Sequence, residues 1–341
     1  MKRKLLVLLL AAAALLAQAG CGEKSEPTGA ARREPFTVLL DYFPNADHAA
    51  LYAAQAAGLY AKAGLDVKIK APPDPSAPLK LLRAGRADVA ISYEPEVLLA
   101  RDAGAEDLVS VGALVQQPLT SVMSLPAAHV RSARDLAGKR VGTAGIPYQD
   151  AYLKTILAKA GVPGSSVKEI DVGFNLVPAM LSRKVDATLG AFWNYEGVDL
   201  ARRGKHPVIL RMDRLGVPTY AELVFVVRRE ALNGDGASRL RRFLQATAAG
   251  VRLLRRNPAV GVNALLKADK GLDRGLQLAA VKATLPTLFP RDRSKPFGYQ
   301  DPADWARYEQ WMRSNRLLKR QLSAPPLTNE FLPGEALEPS G

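Results

Sequence analysis

A short pattern that occurs twice constrains this chain more than anything else in it. LRAGRADVAI, starting at Leu82, reads as a helix end, a basic turn and an aspartate (Asp88) entering an apolar strand. LSRKVDATL, starting at Leu181, reads the same way with Asp186 at the strand entry. One such unit in each half is what two similar α/β lobes would show. The flanking pattern agrees. Strands are predicted over 36–40, 66–70, 89–92 and 108–114, with helices over 48–63, 79–84 and 96–103 between them, Ser76 being placed to cap the second. A second series has strands over 121–125, 140–143, 167–172 and 185–191, with a capped turn at 135–139 and helices over 148–160 and 178–182. Strands alternating with helices of this length imply βαβ units and doubly wound, mostly parallel sheets.

The first βα junction carries the strongest site signal. LLDYFPNADHAAL, from Leu39 to Leu51, takes a strand into Asp41, Tyr42, Phe43, Pro44 and Asn45 and then opens a helix. Pro44 cannot continue a ladder, and Asn45 or Asp47 can cap the helix that follows. Side chains at the carboxyl end of a strand face the place where open α/β folds bind small molecules. Tyr42 and Phe43 read equally well as core residues beside an N-cap.

The leader is of a different kind. Lys2, Arg3 and Lys4 precede an apolar run over 5–16, and Ala19 and Gly20 lead to Cys21, the only cysteine in the chain. The run is too short to span a bilayer comfortably. Residues 1–20 resemble a bacterial lipoprotein signal, which implies lipidation at Cys21 and export to the outer face of the cytoplasmic membrane or the periplasm. Gln18 departs from the apolar residue preferred there, and an ordinary cleaved signal is the alternative. Residues 21–35 read as a polar tether and 333–341 as an unstructured tail.

With 48% hydrophobic and 23% charged residues, the chain has the balance of a globular protein with a large core. Its formal charge of +14 would suit nucleic acid or an anionic membrane surface. Its basic residues, however, fall on helix faces such as Arg239, Arg241, Arg242, Arg252, Arg255 and Arg256, with no zinc-finger spacing and no aromatic RNA-binding strand. A solvated helix face is the reading adopted, with no nucleic-acid partner. Three histidines and one cysteine give no metal-ligand spacing. No nucleophile elbow or Walker lysine is present, so any ATP hydrolysis belongs to another subunit.

The order of elements, DYFPNADHAALYAAQAAGLYAKAGLDV, GRADVAIS, DLAGKRVG and GFNLVPAMLSRKVDATLGAFWNYEGVDL together resemble the periplasmic solute-binding proteins of ABC importers over about residues 36–319. DLAGK and GRADVA mark the superfamily shared with sulfonate, taurine and nitrate binders. DYFPNADH and AFWNYEG are narrower and are similar to the thiamine-pyrimidine branch, within it to the formylaminopyrimidine-binding proteins. The resemblance implies a two-lobed periplasmic-binding-protein fold of type II, with ligand in the interlobe cleft. Lobe 1 would take 36–117 and, after a second crossing near 222–228, a return over 225–332 with helices over 238–254, 276–284 and 303–318. Lobe 2 would take 118–224. A monomer that hands its ligand to a membrane permease and its ATPase subunit, with no cofactor, is the implied assembly.

Candidate ligand-binding residues follow. A flat heteroaromatic needs ring faces and a few directed hydrogen bonds. Asp41, Tyr42, Phe43 and Asn45 offer these from the first lobe; Phe192, Trp193, Asn194, Tyr195 and Glu196 offer them after a strand in the second. Glu196 can accept from an exocyclic amine, whereas a sulfonate would want cationic or amide donors. Trp193 and Tyr195 can equally be lobe-interface packing. His48, Ser92, Tyr93, Glu94, Gln117, Tyr148 and Asn175 complete the set, with His48 as readily a structural hydrogen-bonder and Tyr148 near a helix N-terminus able to meet an anion. Riboflavin and a sulfonate or nitrate are the alternative ligands. The alternative of another class is a pyrimidine synthase, as in the fungal relatives. The lysine those enzymes use for pyridoxal phosphate aligns with Ser92, their histidine with Glu96, and no cysteine follows Cys21, so the resemblance implies a binding protein without catalysis.

Overall fold

The computed structural model describes residues 33–322 and 324–334. The predicted leader, Cys21 and most of the tether and tail therefore lie outside the described residues. From Glu34 onward the chain forms one compact unit built on two five-stranded sheets.

The first sheet has the order β2-β1-β3-β10-β4, from β1 (Glu34–Leu39), β2 (Leu65–Lys70), β3 (Val89–Ser92), β4 (Leu108–Val115) and β10 (Leu223–Arg228). The second runs β7-β6-β8-β5-β9, from β5 (Thr120–Ser124), β6 (Arg140–Thr143), β7 (Lys168–Asp171), β8 (Ala187–Phe192) and β9 (Val208–Arg211). β1 pairs in parallel with β2 and β3, and β6 in parallel with β7 and β8. Each sheet also holds one reversed strand, β10 in the first and β5 in the second, antiparallel to both neighbours. The reversed strands are those that arrive from the other sheet. β4 ends where the chain crosses at 116–119, so β5 starts at the edge where its neighbours end and has to run the other way; β10 repeats this after the second crossing.

Apolar runs explain the core. β4 and β3 are buried along their whole length, as expected of strands covered on both faces. Asp88 accepts from Thr37 N at 2.7 Å, and Asp186 accepts from Arg140 N at 2.8 Å. The twice-occurring aspartate thus pins the neighbouring parallel strand, at Thr37 within β1 in one sheet and at Arg140, the first residue of β6, in the other.

Several local expectations change. The helix foreseen over 48–63 is two, Ala49–Ala56 and Leu59–Lys62, broken where Gly58 takes φ +68°. Ser76 does not cap the helix Pro78–Arg83: Ala77 holds that position, and the Ser76 hydroxyl donates to Asp74 instead. Asn45 forms the cap at the first junction, accepting from Asp47 N at 2.8 Å. The long basic helix Gly234–Arg256 is tied by its arginines to the body: Arg239 to Asp88, Arg242 to Glu34 and Arg241 to Glu330. Such pairs occupy charge that a polyanion would otherwise need.

Candidate functional site

A narrow cavity of about 20 Å³ opens where the carboxyl ends of both sheets meet. From the first sheet's side it is lined by Asp41, Tyr42, Asn45, Asp47 and Tyr93; from the second by Ile146, Tyr148, Gln149, Leu176, Phe192, Tyr195 and Glu196, with Ala144 and Gly190 as small walls. The βα junctions after β1, β3, β6 and β8 supply nearly all of them.

Asp41, only 2% exposed, is fixed by two partners. The Tyr93 hydroxyl donates to its Oδ2 at 2.7 Å, and His48 Nε2 lies 2.8 Å from its Oδ1. The other ring nitrogen of His48 accepts from Asn45 N at 3.3 Å. His48 is therefore fully buried behind Asp41 and sets its orientation, the structural alternative foreseen for it. Tyr42 packs on Phe174 and Phe43, with centroids 4.6 Å away in each case, and its hydroxyl donates to Gly173 O across the cleft. Tyr93 and Tyr148, from opposite sides, approach to 5.0 Å between centroids.

Glu196 begins the helix Glu196–Arg202, and its Oε2 accepts from Phe192 N at 2.7 Å. Burial pushes its carboxyl up to about 8, against a smaller lowering by that hydrogen bond. Burial thus favours the carboxylic acid form, which can donate from one oxygen and accept at the other. Asp47 is raised by burial to about 6. Its Oδ1 receives Asn194 Nδ2 at 2.6 Å and the Thr284 hydroxyl at 2.8 Å, while its Oδ2 has no hydrogen-bond partner among the described residues. Asn194 comes from beyond β8, and Thr284 ends the helix Arg274–Thr284. Gln277 of that helix donates to the Tyr195 hydroxyl at 2.9 Å. These bonds tie the two sides together beside the cavity. Asn194 Oδ1 and Gln277 Oε1 also lack partners among the described residues, so the surroundings offer more acceptors than donors.

Of the residues foreseen in sequence, Asp41, Tyr42, Asn45, Tyr93, Tyr148, Phe192, Tyr195 and Glu196 converge on the cavity. Phe43 stands one ring behind, against Tyr195 at 6.0 Å. The others fall elsewhere, each for a definite reason. Trp193 turns outward, donating Nε1–H to Pro118 O with Arg211 stacked on its ring. Asn194 is taken up by Asp47 and Thr284. Ser92 is enclosed in β3, Asn175 is exposed, and Gln117 lies outside the lining. Glu94, next after Tyr93, faces the opposite way and accepts from Ala221 N at 2.7 Å. The helix N-terminus at Tyr148 is not open to an anion, since Glu96 Oε2 receives Tyr148 N at 3.3 Å.

Reading by sequence missed Gln149, Gly190, Ile146 and Leu176 as lining residues, and gave Asp47 only a capping role. Gln149 Oε1 accepts from Ala144 N at 2.7 Å, and Gly190, at φ +114°, leaves room for that amide. A glycine inside an apolar strand signals such a close approach, and it was the one available hint. Among the described residues no group of three or more histidine, cysteine or acidic side chains is placed to hold a metal.

Comparison with known proteins places this geometry. A family model described as NMT1/THI5 like matches residues 45–260. A formylaminopyrimidine-binding protein of Halalkalibacterium halodurans is 34% identical over 295 residues, which is 85% of this chain and 88% of that protein. A 4-amino-5-hydroxymethyl-2-methylpyrimidine phosphate synthase of Legionella pneumophila is 26% identical, with 87% and 92% covered. Among solved structures, the alkanesulfonate-binding protein SsuA of Xanthomonas axonopodis pv. citri bound to MOPS superposes with a TM-score of 0.66 at 22% identity, covering 88% of this chain and 99% of the other. That likeness establishes the periplasmic-binding-protein fold.

Proposed function

The chain belongs to the NMT1/THI5-like family, and from that premise we propose that it is the solute-binding component of an ABC importer, capturing a thiamine-related pyrimidine of the formylaminopyrimidine type. The observation that carries the reading is the charge and shape of the cavity. Three buried carboxyl groups, Asp41, Asp47 and Glu196, line it together with five aromatic rings and no lysine, arginine or histidine. A sulfonate or nitrate would meet acids where it needs donors. An aminopyrimidine edge presents an amine donor beside a ring-nitrogen acceptor. The neutral Glu196 carboxyl can answer the ring nitrogen, the partnerless Asp47 Oδ2 can take the amine, and the tyrosine and phenylalanine rings supply faces.

The remaining features of the proposal follow from this role. Ligand shifts the population toward the form tied by Asn194, Asp47 and Thr284, and a permease with its ATPase subunit reads that form. A division into lobes at 117/118 is supported by the first crossing between the sheets; the second crossing ends before β10, so Leu223 and Val224 go with the first lobe and the return begins near 223 rather than 225. Among the described residues no helix is long and apolar enough to cross a membrane; export and attachment through Cys21 rest on the leader's pattern. The protein carries its ligand without transforming it. Ser92 stands where the synthases' lysine would be and is enclosed in β3, outside the cavity lining.

Mass spectrometry under non-denaturing conditions tests the reading, using formylaminopyrimidine, hydroxymethylpyrimidine, thiamine, riboflavin and taurine. A pyrimidine should bind and be recovered unchanged. Glu196→Leu keeps about the size of the side chain but can neither donate nor accept, and should weaken binding about tenfold or more, as a buried polar mismatch of about 1–3 kcal/mol implies, whereas Glu196→Gln, whose amide can still donate to the ring nitrogen, should weaken it less. Binding of taurine alone, or of riboflavin alone, would overturn the ligand while leaving the transport role.

A further inference from the structure

The residue after Tyr93 opens onto a second cavity, on the far side of the crossings from the first. Its volume is about 190 Å³. Gln116 reaches it from the first crossing, Tyr220 and Ala221 from the second, and Trp305 from the C-terminal helix Pro302–Ser314. At its inner end lies Glu94, 2% exposed. One carboxyl oxygen of Glu94 is held by Ala221 N; the other, Oε1, has no hydrogen-bond partner among the described residues, and the same is true of Gln116 Nε2. Buried polar atoms in folded proteins nearly always have partners, so an acceptor and a donor left over in one cavity point to a small molecule carrying the complementary pair.

Charge identifies its class. Glu94, Asp292, Asp301 and Asp304 line the cavity with Arg291, whose guanidinium donates to Thr219 Oγ1 at 3.0 Å. Asp292 accepts from Ser294, Asp301 caps the C-terminal helix, Asp304 pairs with Arg307 and Lys295 lies over the Tyr299 ring. Glu94 is thus the lining acid with a partnerless oxygen among the described residues. This acidic interior sits in a chain of net charge +14. Tyr220 and Trp305, both nearly fully buried, add ring faces of the kind that attract ammonium groups. We propose that this cavity binds a small organic ammonium bearing a hydroxyl or carbonyl oxygen, the ammonium on Glu94 Oε1 and the oxygen on Gln116 Nε2. Burial raises the Glu94 carboxyl to about 8, so the ammonium displaces the carboxyl proton as it binds and the site strengthens as pH rises toward that value. The bound molecule touches both crossings, the segments about which the two sides would have to move.

The inference is independent of the pyrimidine reading, and its test uses no pyrimidine. Ethanolamine hydrochloride is titrated into the purified protein while nuclear magnetic resonance follows the Trp305 indole and Ala221 amide, with ethylene glycol as the uncharged control. Expected are saturable shifts with ethanolamine and none with ethylene glycol. Glu94→Gln, which keeps an acceptor for Ala221 N, should weaken binding at least tenfold, and Asp304→Asn at the partly exposed rim by a smaller factor. Asp304→Asn carries the test if the buried substitution disturbs folding. Shifts that are absent, linear in concentration, equalled by ethylene glycol or untouched in both variants would overturn the site.

Discussion

Replacing Glu222 by leucine should cost this protein much of its stability, and the structure gives the amount. Glu222 is fully buried just before β10. Its Oε2 accepts from Leu119 N at 2.5 Å, Thr120 N at 2.8 Å and the Tyr220 hydroxyl at 3.1 Å, and its Oε1 from the Thr120 hydroxyl at 2.8 Å. One side chain of the second crossing thereby satisfies the backbone of the first. Leucine fills a similar volume and accepts nothing. The hydroxyls can turn elsewhere, Thr120 already lying 3.1 Å from the Tyr148 hydroxyl, but the two N–H groups are fixed by the crossing. At about 1–3 kcal/mol for each unmet buried donor, the loss is about 2–6 kcal/mol. Glutamine keeps one oxygen for both N–H groups and can donate its amide to Thr120, so Glu222→Gln should lose only about 1 kcal/mol. Burial raises the Glu222 carboxyl to about 7, so acceptor geometry matters here more than a full charge. Urea unfolding followed by circular dichroism would give both differences from the midpoints and slopes. A leucine variant within about 0.5 kcal/mol of the parent, or leucine and glutamine variants equally impaired, would refute the reasoning.

The buried acids set an unusual pH dependence. Burial raises Asp47 to about 6, Glu96 and Glu222 to about 7, and Glu94 and Glu196 to about 8. A raised carboxyl binds more protons folded than unfolded, so this contribution is complete below the unfolded values near 4 and is lost as pH climbs through the folded ones. Ligand-free protein should therefore melt at a higher temperature at pH 5 than at pH 8, and calorimetry showing the reverse order would sink the assignment. Asn194→Ala removes both donors that tie Asp47 and Thr284 across the cavity; pyrimidine should dissociate about tenfold faster with little change in association rate, and an unchanged rate in stopped-flow chase would exclude the tie as a latch. Gly190→Ala puts a methyl group against the Gln149 amide at a backbone φ of +114°, and should lower the melting temperature by several degrees while weakening pyrimidine binding. A variant that behaves like the parent would mean that Gln149 is not held where the cavity needs it.

What could be read directly from the residues was whatever depends on near neighbours along the chain. The alternation of strand and helix, the cap at Asn45, the Asp88 and Asp186 turns and the placing of Asp41, Tyr93 and Glu196 beside strand ends all follow from local pattern. A residue after a parallel strand emerges at the sheet's carboxyl edge whatever the rest of the fold does. Which way it then faces is another matter. Tyr93 and Glu94 are adjacent and line different cavities, while Trp193, expected on the ligand, turns to Pro118 and Arg211. Direction is decided by partners distant in sequence, and no spacing in the chain records them. Asp47 shows the difference most fully. Its position two residues after Asn45 makes it read as a cap, yet contact with Asn194 and Thr284 makes it a tie between the two sides. The sequence by itself thus determined the two α/β halves, the strand ends that form the cleft and the residue types placed there, because these depend on periodicity and turn chemistry. Only the tertiary structure decided which side chains share the cavity and which carboxyls are buried enough to stay protonated, because burial and hydrogen bonding arise between segments that meet only when the chain is folded.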